Sequence, residues 1–232
     1  PRIMDHQNLE RMITFESKAQ LEKALATQIA SDLSSAIQQN GRATLLLSGG
    51  STPSGVYRLL STFDIDWNQV TIGLVDERFV AVDSPFSNYK LLNETIAVNS
   101  AKNVVIHPMV VDADNYEENL KKSEAVYRIF TDPDVCLLGM GPDGHTASIF
   151  PNDLASEQAV FDERSLLSNT NAPSEPSQRI TFNGPVLRRT KSLYLMITGA
   201  QKKDIFDNSA ALDLPIAQFK EALKATYYTS AT

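Results

Sequence analysis

Apolar positions along this chain alternate between two periods. Residues 17–20, Ser-Lys-Ala-Gln, form a capping box. Behind it Leu21, Leu25, Ile29, Leu33 and Ile37 recur at helical spacing, with Ala24 and Ala36 on the same stripe, and Asn40-Gly41 supplies the stop. Residues 44–47 (TLLL) then form a short apolar run bounded by turn residues, the pattern of a buried strand. Residues 70–75, 104–109, 135–140 and 192–198 read the same way, while 116–130, 202–210 and 217–227 carry helical patterns. Strands alternating with helices predict an α/β fold with a mostly parallel sheet, and strands without a polar alternate face predict helices on both sides of it. No repeat or low-complexity tract interrupts the series. The best linker candidate, residues 169–178 (NTNAPSEPSQ), is short enough to be a surface loop, so a single domain over 1–232 is expected.

Composition narrows the class. With 232 residues, 42% hydrophobic and 21% charged, the chain can bury a large core without disulfides or metal. Its 21 Lys+Arg against 28 Asp+Glu leave a net charge of −7, and it has no long basic run, so nucleic acid is not an expected partner. Cys136 is the single cysteine, which excludes an internal disulfide and suits a reducing compartment. His6, His107 and His145 are too scattered for a zinc cluster, and no metal site is expected. No apolar run approaches the ~18 residues of a membrane span, and the N-terminal residues lack a signal-peptide core. The expectation is a cytoplasmic chain without membrane contact, monomeric or weakly self-associating.

Glycine is scarce, 10 in all, yet six fall in two short blocks: SGGSTPSG at 48–55 and GMGPDG at 139–144. Each follows a predicted strand, at the end of a parallel sheet where ligands bind. In the first block Ser51 or Thr52 is placed to cap the next helix, with Pro53 in its first turn. Ser48, Gly49, Gly50, Ser51 and Thr52 together offer amides and hydroxyls to an oxyanion. No Gly-Lys-Ser/Thr follows, so this is not a P-loop. The second block matches Gly-x-Gly-x-x-Gly, the dinucleotide fingerprint. Two features argue against that use: Asp143 would face the pyrophosphate, and Pro151 comes too soon for a crossover helix. The block instead presents His145 on a glycine-rich loop with Asp143 two residues away, a pairing suited to a general base near neutral pH. A third block, DERFV at 76–80, brings Asp76, Glu77 and Arg78 to another strand end. Arg78 can grip phosphate bidentately, and the carboxylates can orient a neighbour or a sugar hydroxyl. Arg179 and Lys202 follow turn-like segments and take surface salt bridges as their default role.

Taken in order, SGGSTP, DERFV, SNYKLLNE, GMGPDGHTASIFP, the QRIT region and TGAQKK resemble the 6-phosphogluconolactonase family. The long block ending in SIFP is the specific one. The resemblance implies a Rossmann-like sheet without nucleotide, and hydrolysis of 6-phospho-D-glucono-1,5-lactone in the oxidative pentose phosphate pathway. It implies no metal or organic cofactor. It places the substrate's phosphate on Ser48–Thr52, Arg78, Arg179 and Lys202, with His145 as base and Asp143 as its partner. Asp76, Glu77 and Gly144 are expected to orient substrate, and backbone amides of the second glycine block to receive the oxyanion. Two alternatives stand beside it. One is a glucosamine-6-phosphate deaminase/isomerase, a related group that resembles this chain but carries a catalytic glutamate where Phe150 stands and tends to have Tyr where Arg78 stands. The other is a non-catalytic sugar-phosphate sensor.

Overall fold

The structure is a computed structural model and describes residues 11–232. His6 lies outside these. In chain order the strands are β1 (Met12–Phe15), β2 (Ala43–Leu47), β3 (Val70–Leu74), β4 (Asp76–Arg78), β5 (Val105–Ile106), β6 (Val135–Leu138), β7 (Leu167–Asn171), β8 (Gln178–Phe182), β9 (Ser192–Thr198) and β10 (Ala225–Thr229). The helices are α1 (Lys18–Asn40), α2 (Ser54–Leu60), α3 (Asn88–Thr95), α4 (Tyr116–Val126), α5 (Leu154–Ala159), α6 (Gly184–Arg188) and α7 (Ala200–Asp207).

Seven strands build one sheet in the order β1-β10-β9-β6-β2-β3-β5, and every pairing in it is parallel. β6 and the six leading residues of β9 are buried, as strands covered on both faces must be. α1 starts and stops where its sequence says. Ser17 Oγ accepts from Gln20 N at 3.2 Å, and Gly41, at φ 75°, returns its N–H to Ile37 O at 2.7 Å. The buried face is Leu21, Leu25, Ile29 and Leu33, with Ala26, Ala30 and Ala36 letting the backbone lie close to the sheet. Each fully buried leucine contributes roughly 1.5–3 kcal/mol, so Leu25→Asp here would unseat the helix.

The strand order reverses direction at β2: the chain moves from β2 to β3 on one side, and later from β6 to β9 on the other. A crevice therefore opens between the C-terminal ends of β2 and β6. The first glycine block leaves β2 and the second leaves β6, so the two meet there.

Beside this end lies an antiparallel sheet, β4-β8-β7, which the periodicity did not reveal. It begins where β3 ends, joined through Phe182 N to Val75 O at 3.1 Å. Residues 169–178, the linker candidate short enough for a surface loop, are the end of β7, the turn into β8 and the first residue of β8. Several elements also differ in extent; the strand expected over 135–140, for one, ends at Leu138. The helix expected over 217–227 is a short 3-10 stretch, Pro215–Ala222, followed by β10. Ala-Thr-Tyr-Tyr-Thr is β-branched and aromatic, and it fills the slot between β1 and β9. The strand over 104–109 shortens to β5. The helix over 116–130 becomes α4 plus a 3-10 turn, Tyr127–Phe130. The helix over 202–210 runs instead from Ala200 to Asp207.

Candidate active site

A cleft of about 230 Å³ occupies the crevice. Of the expected residues it gathers Ser48, Gly49, Gly50, Thr52, Asp76, Arg78, His145, Arg179 and Lys202. Five separate stretches of chain supply them, and the sheet topology is what brings these together.

The first loop leaves β2 with its hydroxyl committed to the fold. Ser48 Oγ donates to Leu137 O at 2.7 Å, which ties the end of β2 to β6, and the Tyr57 hydroxyl donates to Ser48 O. Neither Ser51 nor Thr52 caps α2: Pro53 stands at the cap position, and no side chain bonds the helix amides. Ser51 is exposed and lies outside the cleft lining. The amides of Gly49, Gly50, Ser51 and Thr52 donate to no acceptor among the described residues. Gly50 sits at φ 96°, a conformation that glycine adopts without strain.

Three cations line the cleft. Arg78 and Arg179 are directly opposed across β4 and β8. Like charges in that position repel by a few tenths to about 1 kcal/mol. None of Arg78, Arg179 and Lys202 pairs with a carboxylate among the described residues, so the salt bridges expected as their default are absent there. Burial pulls the Arg179 pKa down from its usual value, the Asp76 charge counters this, and the Arg78 charge adds to the fall. Its guanidinium is held by Nε donating to Pro176 O at 2.8 Å and by the face of Phe150, 5.5 Å from the ring centre. An anion between the arginines would relieve their repulsion.

His145 stands in the same cleft. Its Nδ1 lies 2.5 Å from Asp143 Oδ1, which also accepts from His145 N at 3.1 Å. An ionised carboxylate can only accept, so Nδ1 carries the proton and Nε2 is left basic. The Asp143 pKa lies below its usual value: burial raises it, and the hydrogen bond and charge of His145 outweigh that. The imidazole rests on the Phe150 ring, centres 4.7 Å apart, and against Gly141, where a Cβ would come within 2.1 Å of His145 Cε1.

The turn after His145 is strained and strongly held. Ala147 has φ 52°, which costs of the order of 1 kcal/mol for a residue with a side chain. Thr146 Oγ1 donates to Gly139 O at 2.8 Å, Ser148 Oγ to Asp76 Oδ2 at 2.5 Å, and Ser148 N to Thr181 Oγ1 at 3.2 Å. Asp76 thus faces the cleft and also fastens the histidine loop.

Two expected substrate-orienting residues turn elsewhere. Gly144 lies outside the cleft lining; at φ 81° its carbonyl accepts from Ile216 N at 3.0 Å, closing the loop onto the 3-10 stretch. Glu77 is 1% exposed, and its carboxylate accepts from the start of α3 rather than facing the cleft. The second glycine block also offers fewer oxyanion donors than expected, because Gly141 N donates to His145 O and Gly144 N to Gly141 O. Conversely, Asn88 lines the cleft without having been singled out. Ser87 does cap α3, accepting from Lys90 N at 3.1 Å, and that Ser-Asn pair was the available signal.

A parallel sheet with a cation-lined cleft and a carboxylate-held imidazole at its switch point defines a class of α/β proteins with a small-molecule site at the C-terminal ends of the strands. A family profile described as glucosamine-6-phosphate isomerases/6-phosphogluconolactonase matches residues 16–228. The 6-phosphogluconolactonase of Caulobacter vibrioides is 34% identical over 212 residues, covering 89% of this chain and 90% of that protein. That of Mesorhizobium japonicum is 38% identical over 200 residues, covering 85% and 84%. The crystal structure of a 6-phosphogluconolactonase from Shewanella baltica superposes with a TM-score of 0.85 at 32% identity, covering 95% of this chain and 97% of that one. The chain belongs to the glucosamine-6-phosphate isomerase/6-phosphogluconolactonase family.

Proposed function

We propose that this chain hydrolyses 6-phospho-D-glucono-1,5-lactone to 6-phospho-D-gluconate, the lactonase step of the oxidative pentose phosphate pathway. One observation carries the reading: a single cleft holds three cations that form no salt bridge among the described residues, together with a base whose tautomer is set. The phosphate sits among Arg78, Arg179, Lys202 and the amides of Gly49–Thr52. Charge-assisted hydrogen bonds there contribute roughly 1.5–3 kcal/mol each, and holding the remote phosphate orients C1 toward His145.

His145 Nε2 takes a proton from water, and the water oxygen attacks C1. The carbonyl π pair moves to oxygen as the tetrahedral oxyanion forms. With Gly141 and Gly144 engaged, the Gly139 and Met140 amides are the cleft-lining loop donors left to receive it, since neither donates to an acceptor among the described residues. Collapse breaks the bond from C1 to the ring oxygen, which takes the proton back from the imidazolium. Asp143 holds the tautomer and favours the imidazolium. Phe150, buried with its ring on His145, has no proton to move. This supports hydrolysis over the aldose–ketose isomerisation and deamination of the sister group.

Acid release from the phosphorylated lactone, corrected for the uncatalysed reaction and run beside the unphosphorylated analogue, tests this. kcat/KM is expected to favour the phosphorylated lactone by roughly 10²-fold or more, and His145→Ala to lose most of kcat while still binding phosphate. Equal use of the two lactones, or unchanged kcat in His145→Ala, would overturn it. Ammonia release from glucosamine 6-phosphate would favour the deaminase reading, and tight phosphate binding without turnover the sensor reading.

A further inference from the structure

Behind Arg78 lies a carboxylate that faces no cationic side chain at hydrogen-bond distance among the described residues. Glu77 Oε1 accepts from Arg78 N at 2.9 Å and Asn88 N at 2.8 Å, and Oε2 from Tyr89 N at 2.9 Å and Ser87 Oγ at 3.4 Å. These bonds bind the first turn of α3 to β4. The charged and titratable groups around it are Asp76 and Arg78 on its own strand, Arg179 on β8, Tyr89 on α3 and Tyr127 on the turn after α4. Burial pushes the carboxyl up to about 7, the amides of Asn88, Tyr89 and Arg78 oppose this, and Asp76 adds to it. Such a group is costly to bury, and the backbone segment it organises ends at the cleft.

Asn88 forms the second link. Arg78 Nη1 donates to its Oδ1 at 3.0 Å, and its Nδ2 donates to Asp76 O at 3.0 Å. A Cβ on Gly49 would come within 2.0 Å of the same Oδ1, so the side chain also abuts the first glycine loop. A neutral amide orients the guanidinium through its carbonyl oxygen and leaves the positive charge uncompensated. An aspartate in its place would pair with Arg78 and compete with any incoming anion.

We propose that Glu77 and Asn88 are positioning residues that aim the Arg78 guanidinium at the substrate's phosphate while leaving its charge available. This rests on the sugar-phosphate reading above. Neither residue takes part in the proton transfers; both act through Arg78 and the loop it faces.

The test is Asn88→Asp and Glu77→Gln, each assayed for KM and kcat with the phosphorylated lactone and titrated with inorganic phosphate by calorimetry. Losing one well-aimed charge-assisted bond predicts a roughly tenfold or larger rise in KM and in the phosphate Kd, with the larger part of the kinetic change in KM. The preference for the phosphorylated over the unphosphorylated lactone should fall by the same factor. Phosphate affinity within twofold of wild type in a folded variant, or a loss confined to kcat, would overturn the assignment. If Glu77→Gln does not fold by circular dichroism, Asn88→Asp, which keeps all four bonds to Glu77, decides alone. Wild-type protein that binds phosphate but hydrolyses neither lactone would break the functional reading and leave this one to be settled by calorimetry.

Discussion

Asp143→Asn isolates what the carboxylate does for His145. The two side chains are 37% and 30% exposed, with Oδ1 and Nδ1 2.5 Å apart. Unit charges ~4 Å apart attract by about 4 kcal/mol at an effective dielectric of 20, and solvent at this exposure cuts that to ~1–2 kcal/mol. Removing the charge therefore costs the imidazolium-like transition state roughly 5–30-fold in kcat. A second effect adds to the first. Asparagine can donate to Nδ1 as readily as accept from it, and donation would move the ring proton to Nε2, where no base remains. In a serine–histidine–aspartate triad such a swap costs about 10⁴-fold, so the expected loss lies between ~10-fold and ~10⁴-fold. Because Asp143 does not line the cleft, KM for the phosphorylated lactone should stay near wild type. Initial rates of acid release at several pH values, with the spontaneous hydrolysis subtracted, measure both. A kcat within threefold of wild type across pH 6–8 would refute the claim that Asp143 sets the state of the base.

Gly141→Ala should be severe for catalysis and mild for phosphate binding. Its Cβ would lie 2.1 Å from the imidazole, which must then leave Asp143, so kcat should drop at least ~10²-fold while calorimetry still shows phosphate bound; retained turnover would contradict the packing described. Glu77 predicts an unusual dependence of stability on pH. Its folded pKa is raised from 4.5 to about 7, so the folded state holds more protons than the unfolded one between these values. Stability from this group is full below the unfolded pKa and is lost as pH rises through about 7, by the order of 3 kcal/mol. Urea unfolding of wild type at pH 5 and pH 8 should show that decline once other groups are matched by comparison with Glu77→Gln, whose curve should be flatter. Equal slopes in the two proteins would count against it.

The alternation of helical and strand patterns was enough to establish a parallel α/β sheet, because fully buried strands and a one-sided helix such as α1 leave periods that no partner can alter. The two glycine blocks and the Asp-Gly-His run were also legible, since glycine clustered after apolar runs in a glycine-poor chain has few uses other than close approach. What remained hidden depends on contacts distant in sequence. β4, β7 and β8 are short and polar at their ends, and only their pairing with one another makes them strands. β10 carries an apparent helical pattern that the slot between β1 and β9 overrides. Glu77 and Asp76 are adjacent in sequence and alike in charge, yet successive residues of a strand face opposite ways. One therefore reaches the cleft and Ser148, and the other the start of α3. The opposition of Arg78 and Arg179 follows from the register of β4 on β8, set by pairings across about a hundred residues of chain that no local pattern encodes.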